Sequence, residues 1–174
     1  MTPPPLPIAN LPLPRWAYVP GEADEACADY ETLAQITALV PSRFGGHVPG
    51  RHPALRYALR LNDHGYFWES QEVLEAVWAA APQGGRERIL LRACIQIAGA
   101  NLKLRMQKSH AASRLFGEAL GELKALSQRK AVAGGDGFAD GFPTAALTVQ
   151  LQAKLAQPLL SKADWVKIGT VGRT

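Results

Sequence analysis

Apolar residues recur along this chain at intervals of three and four, the spacing that lines one face of an α-helix, and prolines and glycines punctuate the runs. From Asp24 to Val40 the positions Ala26, Cys27, Tyr30, Leu33, Ala34, Ile36, Thr37 and Val40 predict a first helix, stopped by Pro41. Ser42 to Pro53, with Gly45, Gly46, Gly50 and two prolines, reads as a loop. A short helix is expected over Ala54 to Asn62, with Leu55, Ala58 and Leu61 on one face, ending near Gly65. The next runs from Tyr66 to Ala81, where Pro82 and the Gly84-Gly85 pair end it. Arg86 to Gln107 is apolar on almost every side, the mark of the most buried helix of a bundle. Ser109 is expected to cap a helix reaching about Ser127, with Ala112, Leu115, Phe116, Ala119, Leu120 and Leu123 inward. Thr144 is expected to cap a last one through about Ala156, carrying Leu147, Leu151 and Leu155 at successive turns. Ala131 to Pro143 reads as a glycine-rich loop too polar and flexible to pack, and Ser161 to Thr174 as a tail without assigned structure.

The pattern therefore predicts an all-α protein, an irregular bundle of about five to six helices. Residues 1–23 form an extended proline-rich arm, 24–127 the bundle core, 128–143 the glycine-rich loop and 144–174 the C-terminal helix and tail. Pro3, Pro4, Pro5, Pro7, Pro12, Pro14 and Pro20 fix φ and remove backbone donors, which excludes helix from the arm. Leu11, Leu13, Trp16, Tyr18 and Val19 give it apolar side chains to lay over the helices, leaving the tip unstructured.

Composition narrows the function classes. A chain of 174 residues, 47% hydrophobic and 20% charged, supports one hydrophobic core rather than two. The formal charge of +4 sets an acidic stretch, Glu22 to Glu31, against basic residues spread from Arg86 onward, a weak pull on anionic partners. Cys27 and Cys94 lack metal-type spacing and sit inside apolar helical patterns, where a thiol acts as a small hydrophobe; a reduced, cytoplasmic setting is expected. Met1 to Asn10 has no basic residue ahead of an apolar run and is not built like a secretory signal. The most apolar stretch, Ile89 to Met106, carries Arg92, Gln96, Asn101, Lys103 and Arg105, which argues against a membrane span. His47 and His52 share a loop with no Cys or acidic residue beside them, so exposed or backbone-bonded roles are expected and no metal or other cofactor. No repeat, heptad run, P-loop, dinucleotide fingerprint or nucleophile elbow is present.

One polar constellation remains. Glu69, Glu72 and Glu75 stand three apart in a segment otherwise rich in aromatic and aliphatic residues, so successive carboxylates lie on adjacent helical turns. Each step of three falls about 60° short of a full revolution, so all three cannot share a face. Glu72 belongs to both close pairs and is expected to turn inward with Trp68. On the following helix Arg88, Arg92, Gln96 and Lys103 form one polar stripe. A buried carboxylate without a counter-charge costs several kcal/mol, so Glu69 or Glu72 is expected to meet Arg92 or Gln96. Two readings of Glu69, Glu72, Glu75, Arg92, Gln96 and Lys103 stay open: a clamp fixing the register of two helices, or a small pocket that binds a ligand or moves protons. Trp68 and Trp78 read more simply as core anchors.

The run Phe67-Trp68-Glu69-Ser70-Gln71-Glu72-Val73-Leu74-Glu75-Ala76-Val77-Trp78 and the run Ala93-Cys94-Ile95-Gln96-Ile97-Ala98 resemble the uncharacterised family catalogued as domain of unknown function 309. That family's signature is an aromatic pair, Glu-x-His-Glu-x-x-Glu and a Trp, with a second segment close to Gly-Leu-Ile-Gln-x-Ala that ends in a His. The resemblance spans about Leu61 to Leu123, and Arg15 to Gly21 is similar to the family's N-terminal arm. It implies a helical bundle and carries no activity with it. Gln71 stands where the family has its first His, and Lys103 where the second segment has its own. If the family's His and Glu residues form a metal or acid-base site, both nitrogen ligands are missing here, and Lys103 is left to neutralise the carboxylates.

Three functions follow. The first is a noncatalytic helical module that binds a small polar or anionic ligand or a partner protein. The second is a metal-independent acid-base enzyme of hydrolase or lyase type, with Glu72 as base and Arg92 or Lys103 stabilising negative charge. The third is weak nucleic-acid binding through Arg105, Lys108, Arg114, Lys124, Arg129 and Lys130, which no aromatic-basic motif supports.

Overall fold

Two aspartates start the chain's first helical segment twice. Asp24 accepts the Ala26 N–H at 3.1 Å and opens a 3₁₀ turn, Glu25–Cys27, and Asp29 then accepts the Thr32 N–H at 3.4 Å and opens α1, Tyr30–Thr37. Each carboxylate satisfies a donor that only a helix N-terminus leaves open, so the single helix expected over Asp24 to Val40 is split at Ala28. Cys27, at the end of the 3₁₀ turn, is consequently exposed rather than packed, whereas Cys94 is buried and its thiol pKa is pushed up by desolvation. The structure, a computed structural model, describes residues 11–130, 135–157 and 164–170.

Helix α2, Pro53–Asp63, begins with proline in its first turn and the His52 Nδ1 accepting the Ala54 N–H at 3.2 Å. It ends in a paired-bond C-terminal motif. The Tyr66 N–H donates to Leu61 O at 2.8 Å and the Gly65 N–H to Asn62 O at 3.1 Å, with Gly65 at φ 91°. Helices α3, Phe67–Ala80, and α4, Arg86–Arg105, follow. The end of α4 repeats the α2 motif, with Lys108 N–H to Lys103 O at 2.8 Å and Gln107 N–H to Leu104 O at 3.0 Å. Here the left-handed position, φ 62°, is held by Gln107, which has a Cβ to accommodate. Gln107→Gly is therefore expected to stabilise the fold by about 0.5–1 kcal/mol, read from urea denaturation midpoints; a loss of stability would show that the Gln107 side chain makes a compensating contact.

That motif sets where α5, Ser109–Ser127, begins. Its Ncap is Lys108, and Ser109 lies inside the first turn without a side-chain cap bond. The last helix, α7 (Thr144–Leu155), behaves in the same way, with Pro143 at the Ncap and Thr144 inside. Both hydroxyls expected to cap are one residue too late, because a cap must precede the first helical residue.

Helix α4 occupies the centre, packed against α3 and α5, with α2 beyond α3 and α7 against α5. Leu90, Leu91, Ala93, Cys94 and Ile97 on α4 are fully buried, as are Leu55, Tyr57 and Leu61 on α2, Val73, Leu74 and Val77 on α3, Phe116 on α5, and Leu147 and Leu151 on α7. Gly99 lets α3 approach. A Cβ there would lie 2.6 Å from Gln71 Nε2, which donates to Ile95 O at 3.3 Å across the helix pair.

The segment expected to be an unpacked loop is ordered into the core over residues 135–143. Gly50 N–H donates to Asp136 O at 2.9 Å and Phe138 N–H to Val48 O at 2.8 Å, so the two loops satisfy each other's backbone. With those polar groups paired, a four-residue helix, α6 (Phe138–Gly141), buries Phe138 and Ala139. Residues 131–134 lie outside the described residues. The seven helices are joined by no strand among the described residues, only by isolated bridges, so the all-α bundle expected from the pattern is the fold. No helix among them is long and apolar enough to cross a membrane.

Both chain-terminal segments lie on the bundle. The arm is tied down by Tyr57 Oη–H donating to Pro12 O at 2.7 Å and Arg60 Nη1 to Leu11 O at 2.8 Å. The expected unstructured tip, residues 1–10, lies outside the described residues. Of the C-terminal tail, residues 164–170 pack inward through Val166 and Ile168, where hydrophobic periodicity had assigned nothing.

Candidate functional site

The six polar residues singled out on α3 and α4 do not converge. Glu69 is the buried carboxylate, fully shielded, whereas Glu72 and Glu75 are exposed. The reason is the phase of α3: Val73, Leu74 and Val77 define the inward face, and Glu69 sits one turn before Val73, while Glu72 and Glu75 fall on the far side. The expectation that Glu72 turns inward is thus corrected to Glu69. Its partner is also different. Glu69 Oε2 accepts the Tyr18 N–H of the arm at 2.7 Å, and Oε1 is buried without a hydrogen bond.

Helix α4 spends its polar stripe elsewhere. The Arg92 Nε lies 3.8 Å from Glu122 on α5, so the expected pairing with Glu69 or Glu72 is not formed. The Arg88 guanidinium stacks 3.9 Å from the Trp78 ring centroid and donates to Ala81 O at 3.3 Å, closing the α3–α4 turn. Gln96 has a buried Oε1 without a partner, and Lys103 is half-buried. Gln71 is committed to the α3–α4 backbone and Lys103 stands near the end of α4, the two positions at which the resemblance implied imidazoles. Trp68 anchors the arm, meeting Tyr18 and Tyr30 edge-on at 5.0 and 5.7 Å.

The two buried carboxylates that hold the arm titrate in opposite directions. Asp29 accepts the Arg15 N–H at 3.0 Å, the Arg15 guanidinium at 3.0 and 3.3 Å, and the Thr32 hydroxyl at 2.9 Å. The Arg15 side-chain bond, first, holds its carboxyl well below the usual range, against the opposing effect of burial. Burial pushes the Glu69 carboxyl above its ordinary value, opposed by the Tyr18 N–H. Glu72 is also raised, by partial desolvation first and then by Glu75 and Glu25.

A cleft lined by none of these residues lies beside the first turns of α2. Four segments meet there: the loop before α2, the first turns of α2, residues 135–143, and the C-terminal residues Ile168 and Gly169. The space is about 610 Å³, within the range of small-molecule sites. Phe138, Phe142 and Ile168 supply apolar wall, and Arg51, Arg56 and Asp136 supply charge. Asp136 faces His47, with Nε2 to Oδ1 at 2.7 Å, so the acidic neighbour that the sequence did not place beside the histidines comes from a segment far along the chain. His52 is backbone-bonded as expected and stacks edge-on against Phe44 at 5.1 Å. Gly141 opens onto the cleft with nothing within 4 Å of its Cβ position.

Sequence reasoning missed this cleft because none of its four walls is a motif. The available signal was two glycine-rich segments, Gly45 to Gly50 and Gly134 to Gly141, each beside arginine or aromatic residues. Their mutual backbone pairing is what makes a cavity of them.

No curated protein and no solved structure matches the chain. The family comparison finds α2, α3, α4 and the first part of α5, the elements that enclose the most buried core. Residues 55–115 match the model of the family described as domain of unknown function, DUF309, in agreement with the resemblance carried by Phe67 to Trp78 and Ala93 to Ala98.

Proposed function

We propose that this protein is a noncatalytic helical module that binds a small polar ligand in the cleft between α2, residues 135–143 and the C-terminal segment. The observation that carries the reading is the cleft itself, about 610 Å³ with a few charged side chains on an otherwise apolar and glycine-rich wall. Binding is favoured over turnover by the chemistry of the lining. Among the described residues it has no hydroxyl, thiol or amine side chain, and its acid-base candidate, Asp136, is already engaged with His47. The acid-base alternative centred on Glu72 has less support, since Arg92 is engaged with Glu122 on α5.

The test is a thermal-shift screen of the full chain against nucleotides, phosphosugars, organic acids, amino acids and divalent metals, run beside Gly141→Leu. A Cβ at 141 meets nothing within 4 Å, so a leucine there is expected to occupy part of the cleft mouth without displacing a neighbour at its Cβ. At least one compound class is expected to raise the melting temperature of the wild type and leave the variant unmoved, since a ligand stabilises only the state that binds it. A screen in which nothing stabilises the wild type, or in which both proteins respond equally, rejects the cleft as the site.

A further inference from the structure

Along the outward side of α5, Arg114, Gly117, Glu118, Gly121, Lys124 and Ala125 are all exposed, at the three- and four-residue spacing of one helix face. A Cβ at Gly117 or Gly121 meets nothing within 4 Å, so the middle of that face is uncovered. Beside it, between α5 and α7, runs a groove of about 470 Å³ whose accessible walls include Leu120, Gly121, Ala145 and Thr148. Val149 continues the α7 side of the groove, next to Thr148 on the same stripe. At 63% it is the most exposed large apolar side chain among the described residues. An open apolar groove with a protruding valine at its edge calls for cover.

From these two faces we infer that the cover is a second copy of this chain, its α5 laid antiparallel on this one about a two-fold axis at Gly121. The inference goes beyond the ligand cleft and is independent of it. What commits the face to a second copy is the order of its charges. About a two-fold axis, a residue that follows the axis faces the one that precedes it by the same number of positions in the other copy. Lys124 therefore meets Glu118 of the second copy, and Glu118 meets Lys124 of the second copy. Neither has an ion pair within its own chain among the described residues. The same register sets Gly117 against Ala125 and Arg114 against Gln128, so like charges are kept apart and small residues occupy the crossing, where helix axes come close. An axis that joins α5 to α5 also turns groove toward groove, which removes Val149 of each copy from water. An unrelated partner would require no such symmetry of Glu118 and Lys124 about Gly121.

Analytical ultracentrifugation of the full chain from micromolar to millimolar concentration is expected to show reversible dimerisation that weakens as salt rises. Gly121→Glu places two carboxylates on the axis while its Cβ meets open space within its own chain, and it is expected to be monomeric. Glu118→Lys and Lys124→Glu each set like charges opposite one another twice per dimer, and each is expected to weaken self-association by about tenfold. The decisive measurement mixes these two variants. The first carries positive charge at both positions and the second negative, so the mixture is expected to form a heterodimer at least as tight as the wild-type dimer. The Glu118→Lys/Lys124→Glu double variant is expected to pair with itself. Recovery on mixing requires folded components, which separates a charge effect from a folding defect. A wild type that stays monomeric throughout overturns the inference and leaves the groove to another occupant. A dimer indifferent to both reversals and to Gly121→Glu uses another face and overturns it too. Loss of the dimer in both single reversals without recovery on mixing overturns the antiparallel register.

Discussion

Asn101→Leu is expected to cost about 3–5 kcal/mol of folding stability, most of what many single domains possess. Asn101 on α4 and Asn62 on α2 are both buried, and together they hold the backbone of Val166. Asn101 Nδ2 donates to Asn62 Oδ1 and to Val166 O, each at 2.8 Å, and its Oδ1 accepts the Val166 N–H at 3.0 Å. Asn62 Nδ2 adds a second donor to Val166 O at 3.0 Å. Leucine removes three hydrogen bonds and leaves a buried amide oxygen and a buried N–H without partners, each costing about 1–3 kcal/mol. Urea denaturation measures the loss, and hydrogen exchange at Val166 localises it. Asn62→Ala also removes three hydrogen bonds but leaves both Asn101 bonds to the Val166 backbone in place, so it is expected to cost less, and the double variant to cost less than the sum, because both side chains share one carbonyl. A change below about 1 kcal/mol for Asn101→Leu would mean that the C-terminal segment is not held by this network.

The arm supplies the second large effect, and it depends on pH. Asp29→Ala is expected to destabilise the protein by about 1–2 kcal/mol at neutral pH through the loss of a helix cap, because the exposed Arg15 guanidinium turns to water instead. Because the folded carboxyl titrates below its ordinary value of 3.8, its contribution is present above that value and is lost as the pH falls through the folded one. The gap between wild type and Asp29→Ala therefore narrows in acid. Glu69→Gln behaves in the opposite sense. A carboxyl raised above its ordinary value of 4.5 contributes stability that is complete below that value and disappears as the pH rises through the folded one. At neutral pH the buried charge is a liability. Glutamine keeps an acceptor for the Tyr18 N–H and removes the charge, so the variant is expected to melt higher than wild type near pH 7 and to match it near pH 4. Melting curves from pH 7 to well below 3.8 decide the matter: profiles that stay parallel for all three proteins over the whole of that range would exclude titration of either anchor.

The same arithmetic explains why two carboxylates on one surface differ. Asp29 has a cation, two backbone donors and a hydroxyl, enough to replace the water it gave up. Glu69 has one backbone N–H for two oxygens. Its burial is set by the α3 face on which it lies and by the arm that docks on it through the Tyr18 N–H.

Hydrophobic periodicity alone determined the helical class, the central position of α4 and the boundaries of α3 to within a residue, because a helix repeats every 3.6 residues whatever surrounds it. The family resemblance was carried by the motif residues, of which Phe67 to Trp78 and Ala93 to Ala98 lie inside the matched region 55–115. Tertiary structure decided which polar groups meet. Glu69 and Tyr18 are 51 residues apart, and Asn101 and Val166 are 65 apart, separations at which spacing carries no information about contact. Arg92 faced two possible neighbours, α3 and α5, and the rotation of α4 gave it to Glu122. The cleft followed the same logic, since its walls come from four segments that only the closed bundle brings together. Local sequence sets the phase of each helix, but a partner across the core depends on how the helices rotate and cross, and that is a property of the packed whole.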